Sequence, residues 1–313
     1  MNRTQNLSQT FIPFQCSLID VYFLEVTESF SYNTFINSII FFNAFTAFIA
    51  SCSNGVLIYT IWKTESLRTP SNLLILGLTI SDFGVAVSAL PSYCVLRFSE
   101  IKGNLSMFCV SGTIYNVSIW TLAAASLLSL TSITADRFLA VYFHLRYQEL
   151  VTTKRCKVAI FGIWISSVII CVCRVLAMGV ELVICGTILL TFIILVNVFF
   201  IFKISQVISR HSLQIHAQQQ SVQQSIDMPR YKKSVNTMYY VIGAFLVCYL
   251  PFVGTMVIHT IFAQNQSKEL YCFILITATL VKFNSVLNPF IYCWRIREIR
   301  SAACKTLRSL WKP

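Results

Sequence analysis

Seven separate runs of predominantly apolar residues, at about 35–62, 71–96, 108–141, 157–177, 181–205, 234–260 and 270–294, constrain this chain more than any other feature. A helix needs about 20 such residues to cross the hydrocarbon core of a bilayer, and each run is long enough. Backbone groups left unpaired in lipid are costly, so runs of this length must close their hydrogen bonds internally, as helices. The connections between the runs are short, which leaves nearly all the mass in one bundle. The expectation is an all-α membrane protein. A seven-transmembrane helix bundle occupies residues 34–294, behind a tail of residues 1–33 and ahead of a short segment, 295–313.

Charge orients the bundle. One Asp-Arg pair, Asp136-Arg137, closes the third run and is followed by Phe138. A charge at mid-bilayer is expensive, so the pair belongs at a membrane-water boundary, where the aspartate neutralises the arginine until something competes for it. Placing that end in the cytoplasm leaves only Arg3, Arg97, Lys102, Arg174 and Lys268 outside, with Lys282 within the membrane, out of 24 lysines and arginines. This is the asymmetry the positive-inside rule demands, and it accounts for the formal charge of +12 without a nucleic-acid partner. The glycosylation sequons at Asn2, Asn6, Asn104 and Asn265 all fall outside in the same orientation. Residues 1–30 are mixed and partly acidic, so the first span is expected to act as the insertion signal.

Polar residues inside apolar runs mark the interior. Asn54, Asp82, Ser126, Asn284, Ser285 and Asn288 lie on four of the runs at similar depth. A lone carboxylate there needs a counter-ion or a proton. Pro91, Pro251 and Pro289 interrupt the hydrogen-bond ladders of the second, sixth and seventh runs. Residues 97–107 read as the first outside loop and Ala217–Ser225 as a polar linker without a core. After the seventh run, residues 294–311 alternate basic and apolar positions at helical spacing. That pattern is an amphipathic helix on the inner leaflet, and Cys304 within it is a palmitoylation candidate beside the reading of an unmodified thiol.

Seven helices, Asp136-Arg137-Phe138, Cys248-Tyr249-Leu250-Pro251 and Asn288-Pro289-Phe290-Ile291-Tyr292, each in its proper helix and order, resemble the rhodopsin-like (class A) G-protein-coupled receptors. The resemblance covers about residues 35–311 and is nearest the adenosine, melanocortin and lipid receptor branch. It implies a multi-pass plasma-membrane receptor with an extracellular N-terminus, not an enzyme. Such a receptor binds a small extracellular ligand, activates a heterotrimeric G protein, and has arrestin as a candidate further partner. Asp136, Arg137, Phe138, Asn288, Pro289 and Tyr292 then form the coupling switch and the hinge of helix seven. Receptors of this class often latch the arginine with an acid at the start of helix six. Residues 229–233 here contain none, which implies basal activity.

The resemblance also suggests a sodium ion at Asp82, with Ser126 as a direct oxygen ligand and Asn54, Asn284, Ser285 and Asn288 around it. A protonated Asp82 in a hydrogen-bond network is the alternative. No cofactor is otherwise required. The aspartate that anchors biogenic amines in helix three is replaced by Ile119. The expected pocket is Tyr115, Ile119, Trp120, Tyr249, Phe252, Val253 and Lys282, which suits a lipid, a small acid or a nucleoside-like ligand. Lys282 lies two turns before Pro289 on the inward face, where opsins carry the lysine that binds retinal. Contact with an acidic ligand, an internal ion pair, a snorkelling lysine and an opsin-like retinal Schiff base all stand as readings of it. In this class a disulfide commonly joins helix three to the second outer loop. Cys109 with Cys173 or Cys185, and Cys16 with Cys272, are the pairings considered. The absence of an internal repeat or a polar pathway argues against a transporter.

Overall fold

A computed structural model describes residues 30–143, 146–176, 180–218, 228–261 and 267–310, with side chains excepted at 30, 175, 176, 180–183, 208, 210–218, 228–238 and 310. The described residues are almost entirely helical. Helix α1 spans Phe30–Lys63, α2 Pro70–Lys102, α3 Leu105–Tyr142, α4 Thr153–Leu176, α5 Val180–Gln218, α6 Met228–Ile261, α7 Lys268–Arg295 and α8 Arg297–Leu310. Seven of them are long and apolar enough to cross a membrane. Helix α3 is the hub: it packs against α2, α4, α5 and α6.

The bundle is apolar outside and polar inside. Phe41, Phe48, Phe161, Phe192 and Val247 point outward, as lipid-facing residues do. Asn54, Asp82, Ser126, Asn197, Asn284, Ser285 and Asn288 are buried. Where water is the solvent the polarity runs the other way.

Helix α2 carries the main irregularity. Proline at position 91 has no N–H to donate, and the ladder adjusts just before it. Residues Val85–Ala89 form a π turn in which the Leu90 N–H reaches back five residues to the Val85 carbonyl. The second half of α2 is thereby re-aimed, and it carries Tyr93, Arg97 and Glu100 into the interior. The expected loop at 97–107 is therefore helix. Arg97 and Glu100 are buried because they pair with one another, Lys102 at the helix end is exposed, and the connection shrinks to Gly103 and Asn104. Gly103 closes α2 at φ +67°, the left-handed geometry that a residue lacking Cβ adopts without strain. Asn104 then caps α3 by accepting the Met107 N–H.

The linker expected at Ala217–Ser225 begins as the last residues of α5 and otherwise lies outside the described residues. Helix α8 buries Ile299, Ala303 and Thr306 on one face and exposes Cys304 on another.

Candidate functional site

Four polar layers follow one another through the bundle. At the Arg137 end, Arg137 Nη2 lies 3.5 Å from Asp136 Oδ2. Asp136 is buried and held from two further sides. Tyr147 donates to its Oδ1 at 2.7 Å and Ser71, at the start of α2, donates to its Oδ2 at 2.9 Å. The two hydroxyls also touch each other at 2.9 Å. Burial, with Asp136 beside it, pushes the Tyr147 phenol up to about 12. Phe138 packs its ring against Tyr142 and against Phe200 of α5. Sequence inspection picks out Asp136, Arg137 and Phe138 but not Ser71 or Tyr147. Tyr147 sits in a short four-residue helical turn beyond α3, where no periodicity points back to Asp136. The side chains of residues 229–233, on which the missing latch rests, lie outside those described.

One layer further in, Thr131, Thr134 and Asn197 join α3 to α5. Asn197 donates to Thr131 at 2.9 Å and accepts from Thr134 at 3.1 Å. Asn197 is a solitary amide in an apolar run, and that was the available signal for it.

The middle layer is built on Asp82. Ser126 of α3 donates to its Oδ1 at 2.9 Å, and Asn288 of α7 donates to its Oδ2 at 2.7 Å. Asn54 of α1 bonds the Ser285 carbonyl at 3.0 Å, while the Ser285 hydroxyl bonds the Lys282 carbonyl of its own helix. The structure thus brings Asp82, Ser126 and Asn288 together and places Asn54 and Ser285 on an adjoining strut. The amide oxygens of Asn54 and Asn284 and the Tyr292 hydroxyl are buried without a hydrogen-bond partner. A carboxyl, a hydroxyl and two orphaned amide oxygens in this region are all oxygen donors, the ligand type that a hard cation takes. Tyr249 is buried, its ring 4.3 Å from that of Phe245.

The layer at the Arg97 end departs from expectation. Lys282 is 2 % exposed, and its Nζ lies 3.4 Å from the ring centre of Tyr93 and 5.5 Å from that of Tyr115. The ammonium makes no hydrogen bond, and no described residue forms an ion pair with it, so the expected internal ion pair is absent among the described residues. The acid of this region, Glu100, is committed elsewhere. It receives Arg97 at 2.5 Å, Tyr32 at 2.5 Å and Tyr271 at 3.4 Å. The Glu181 side chain lies outside those described.

The seven expected pocket residues do not converge on one point. Tyr115 and Ile119 pack together beside Val85, Ala89 and Leu90. Tyr249 and Val253 belong to the deeper core, and Phe252 is half-buried. Trp120 is turned toward α4 and α5, with the Arg174 guanidinium 5.3 Å from its ring and Gly186 against its edge. The missing residue is Tyr93, whose ring joins Lys282, Tyr115 and Arg97.

The disulfide pairings are also corrected. Cys109 is disulfide-bonded, but Cys173, Cys185 and Cys272 carry free thiols, so none of these three bridges it. Cys16 lies outside the described residues, as do Asn2, Asn6 and Asn265. Asn104 is exposed.

A seven-helix membrane bundle with a guarded Asp-Arg pair at one end of its central helix and a closed polar layer at mid-depth has the architecture of a membrane signalling receptor. Residues 53–292 match the family model described as 7 transmembrane receptor (rhodopsin family). G-protein coupled receptor 12 of Homo sapiens is 24% identical over 277 residues, covering 82% of this chain and 77% of that protein. G-protein coupled receptor 3 of Rattus norvegicus is 27% identical over 272 residues, covering 80% and 77% respectively. The chain belongs to the rhodopsin family of seven-transmembrane receptors. It is a signalling receptor and not an enzyme, and membership implies a ligand and a G protein.

Proposed function

We propose that this chain is a plasma-membrane receptor with its N-terminus outside, which binds a small non-aminergic ligand at the Arg97 end and drives nucleotide exchange on a heterotrimeric G protein at the Arg137 end. Arrestin is a further partner of the same inner face. The observation that carries the reading is the state of Asp136: two hydroxyls and one guanidinium converge on a single buried carboxylate at the inner end of the hub helix. Such a charge is stable only while its partners stay in place, and an incoming G-protein segment that draws Arg137 away resets all of them together. Sodium at Asp82 would brace α2, α3 and α7 against that movement. Asn2, Asn6, Asn104 and Asn265 carry glycans, and the exposed thiol of Cys304 on α8 takes a palmitoyl chain.

The reading is tested by reconstituting the full chain in nanodiscs with a G-protein panel and following nucleotide exchange. Wild type is expected to accelerate exchange on at least one G protein, and Arg137→Ala to remove the acceleration while folding normally. Exchange indifferent to Arg137 rejects the proposal. On intact cells, glycosidase sensitivity at Asn104 checks the orientation.

A retinal adduct on Lys282 is not proposed. The helix-three face near it presents Tyr115 and Ile119, and Glu100 is already shared among three donors.

A further inference from the structure

Hydrogen-bond bookkeeping at the Arg97 end does not balance. One described carboxylate, Glu100, serves Tyr32, Arg97 and Tyr271. Three buried donors of the same cluster have no acceptor at all: Lys282 Nζ, Tyr93 Oη and Arg97 Nε. The residues that bear them are 2 %, 2 % and 8 % exposed. Both cations lean on one ring, with Lys282 Nζ 3.4 Å and the Arg97 guanidinium carbon 5.1 Å from the centre of Tyr93. A ring quadrupole replaces only part of the hydration that a buried ammonium loses, and two like charges on one ring repel. The cluster therefore has an excess of buried donors and lacks an acceptor for them.

We infer that Lys282, with Tyr93 and Arg97 beside it, is the recognition point for the anionic head of an amphiphile, a carboxylate or a phosphate monoester, and that the receptor's ligand is of this class. This rests on the receptor reading above and names its ligand chemistry. An anionic oxygen presents several lone pairs, enough to serve the Lys282 ammonium and the Tyr93 hydroxyl together. The side chains packed around Tyr93 are apolar, Ile39, Leu96 and Phe108 among them, so the remainder of the ligand is hydrocarbon. The binding event has a direct route inward. Lys282 leaves the ring for the anion, and its own carbonyl is tied through Ser285 to Asn54, on the strut beside Asp82 and Asn288.

The test uses full-length protein in zwitterionic nanodiscs with four ten-carbon probes: decanoic acid, decyl phosphate, decanol and decanal. Thermal unfolding reports binding without any G protein, so failure here is separable from failure of the receptor reading, which shows instead as exchange indifferent to Arg137. Decanoic acid or decyl phosphate is expected to raise the midpoint saturably by several degrees, and decanol is not. The responding arm identifies the head group. Lys282→Met is expected to abolish the shift and, without any probe, to unfold at a higher temperature than wild type, because it removes an amine that has no acceptor. Lys282→Arg retains the shift, and Lys282→Gln substitutes for Lys282→Met should the latter misfold. Equal shifts for acid and alcohol overturn the inference, as does an acid shift that survives in Lys282→Met or no shift with either anion. A borohydride-reducible decanal adduct without an acid shift overturns it in favour of covalent carbonyl capture.

Discussion

Asn197 of α5 and Thr134 of α3 share a 3.1 Å hydrogen bond in a seam where both side chains are fully buried. The same amide also reaches Thr131 one turn away, so a single residue clips two turns of α3. Lipid gives helices no hydrophobic reason to associate, and such polar contacts help to fix which faces meet.

The first prediction follows from that clip. An interhelical hydrogen bond in a membrane contributes about 0.6 kcal/mol on average and about 1.7 at most, so Asn197→Leu, which removes two, is expected to cost about 1–2 kcal/mol. The unfolding midpoint in nanodiscs should fall by a few degrees. Thr134→Val alone should cost less, because Asn197 keeps Thr131. The two changes together should be less than additive, since they break a shared network.

Tyr147 offers a pH signature. Its phenol is raised to about 12, burial being the main cause, against an ordinary value near 10. The folded state therefore holds the phenolic proton more tightly than the unfolded state does. The stability this contributes is fully present below pH 10 and is lost as pH rises from about 10 through about 12. Subtracting the ultraviolet pH titration of Tyr147→Phe from that of wild type should isolate one phenolate appearing near pH 12. A component near pH 10 would show that the phenol is not buried against Asp136. At pH 7 the same variant leaves the paired Asp136 short of one donor, and its midpoint should fall.

The unequal legibility of these sites has a physical origin. The spans are readable because lipid forces every crossing to be long and apolar, and Asp82, Asp136-Arg137 and Lys282 stand out because charge in such a run is exceptional. The same signal makes Arg97 and Glu100 read as part of a loop. They cluster at the end of a run, and a linear pattern does not distinguish charges facing water from charges paired inside. Tyr93 escapes notice because aromatic residues are common in helical bundles. Its placement depends on the π turn at Val85–Ala89, which follows from Pro91 only once the ladder around it is known. The distances from Tyr147 to Asp136 and from Asn197 to Thr134 bridge separate elements, and no periodicity encodes them.

Arg97 and Glu100 supply a third prediction. Their pair is buried, with side chains 10% and 8% exposed. Removing one partner of a buried pair typically costs about 3–5 kcal/mol, because the other charge is stranded, whereas replacing both with apolar groups is often tolerated. Glu100→Gln is therefore expected to lower surface expression and the unfolding midpoint sharply. Arg97→Met with Glu100→Leu should recover much of the loss. A double variant as damaged as the single one would mean that Tyr32 and Tyr271 depend on the carboxylate itself and not on charge balance.

Asp82 gives the last. Ser126 and Asn288 each donate one bond to the carboxylate, and the neighbouring amide oxygens of Asn54 and Asn284 have no donor. A monovalent cation would satisfy those oxygens and tie α2 to α3 and α7, and the more closed arrangement would hold it more tightly. Ligation of one conformation shifts the population toward it by the differential affinity alone. Basal nucleotide exchange is therefore expected to fall as sodium chloride is raised and to stay level when choline chloride replaces it at equal ionic strength. Asp82→Asn keeps the hydrogen-bonding shape but removes the charge, and it should flatten the sodium response. Ser126→Ala should move the half-effect to several-fold higher sodium without abolishing it, since the charged ligand remains. A response to sodium and choline alike would mean general screening, and a response unchanged in Asp82→Asn would place the cation elsewhere.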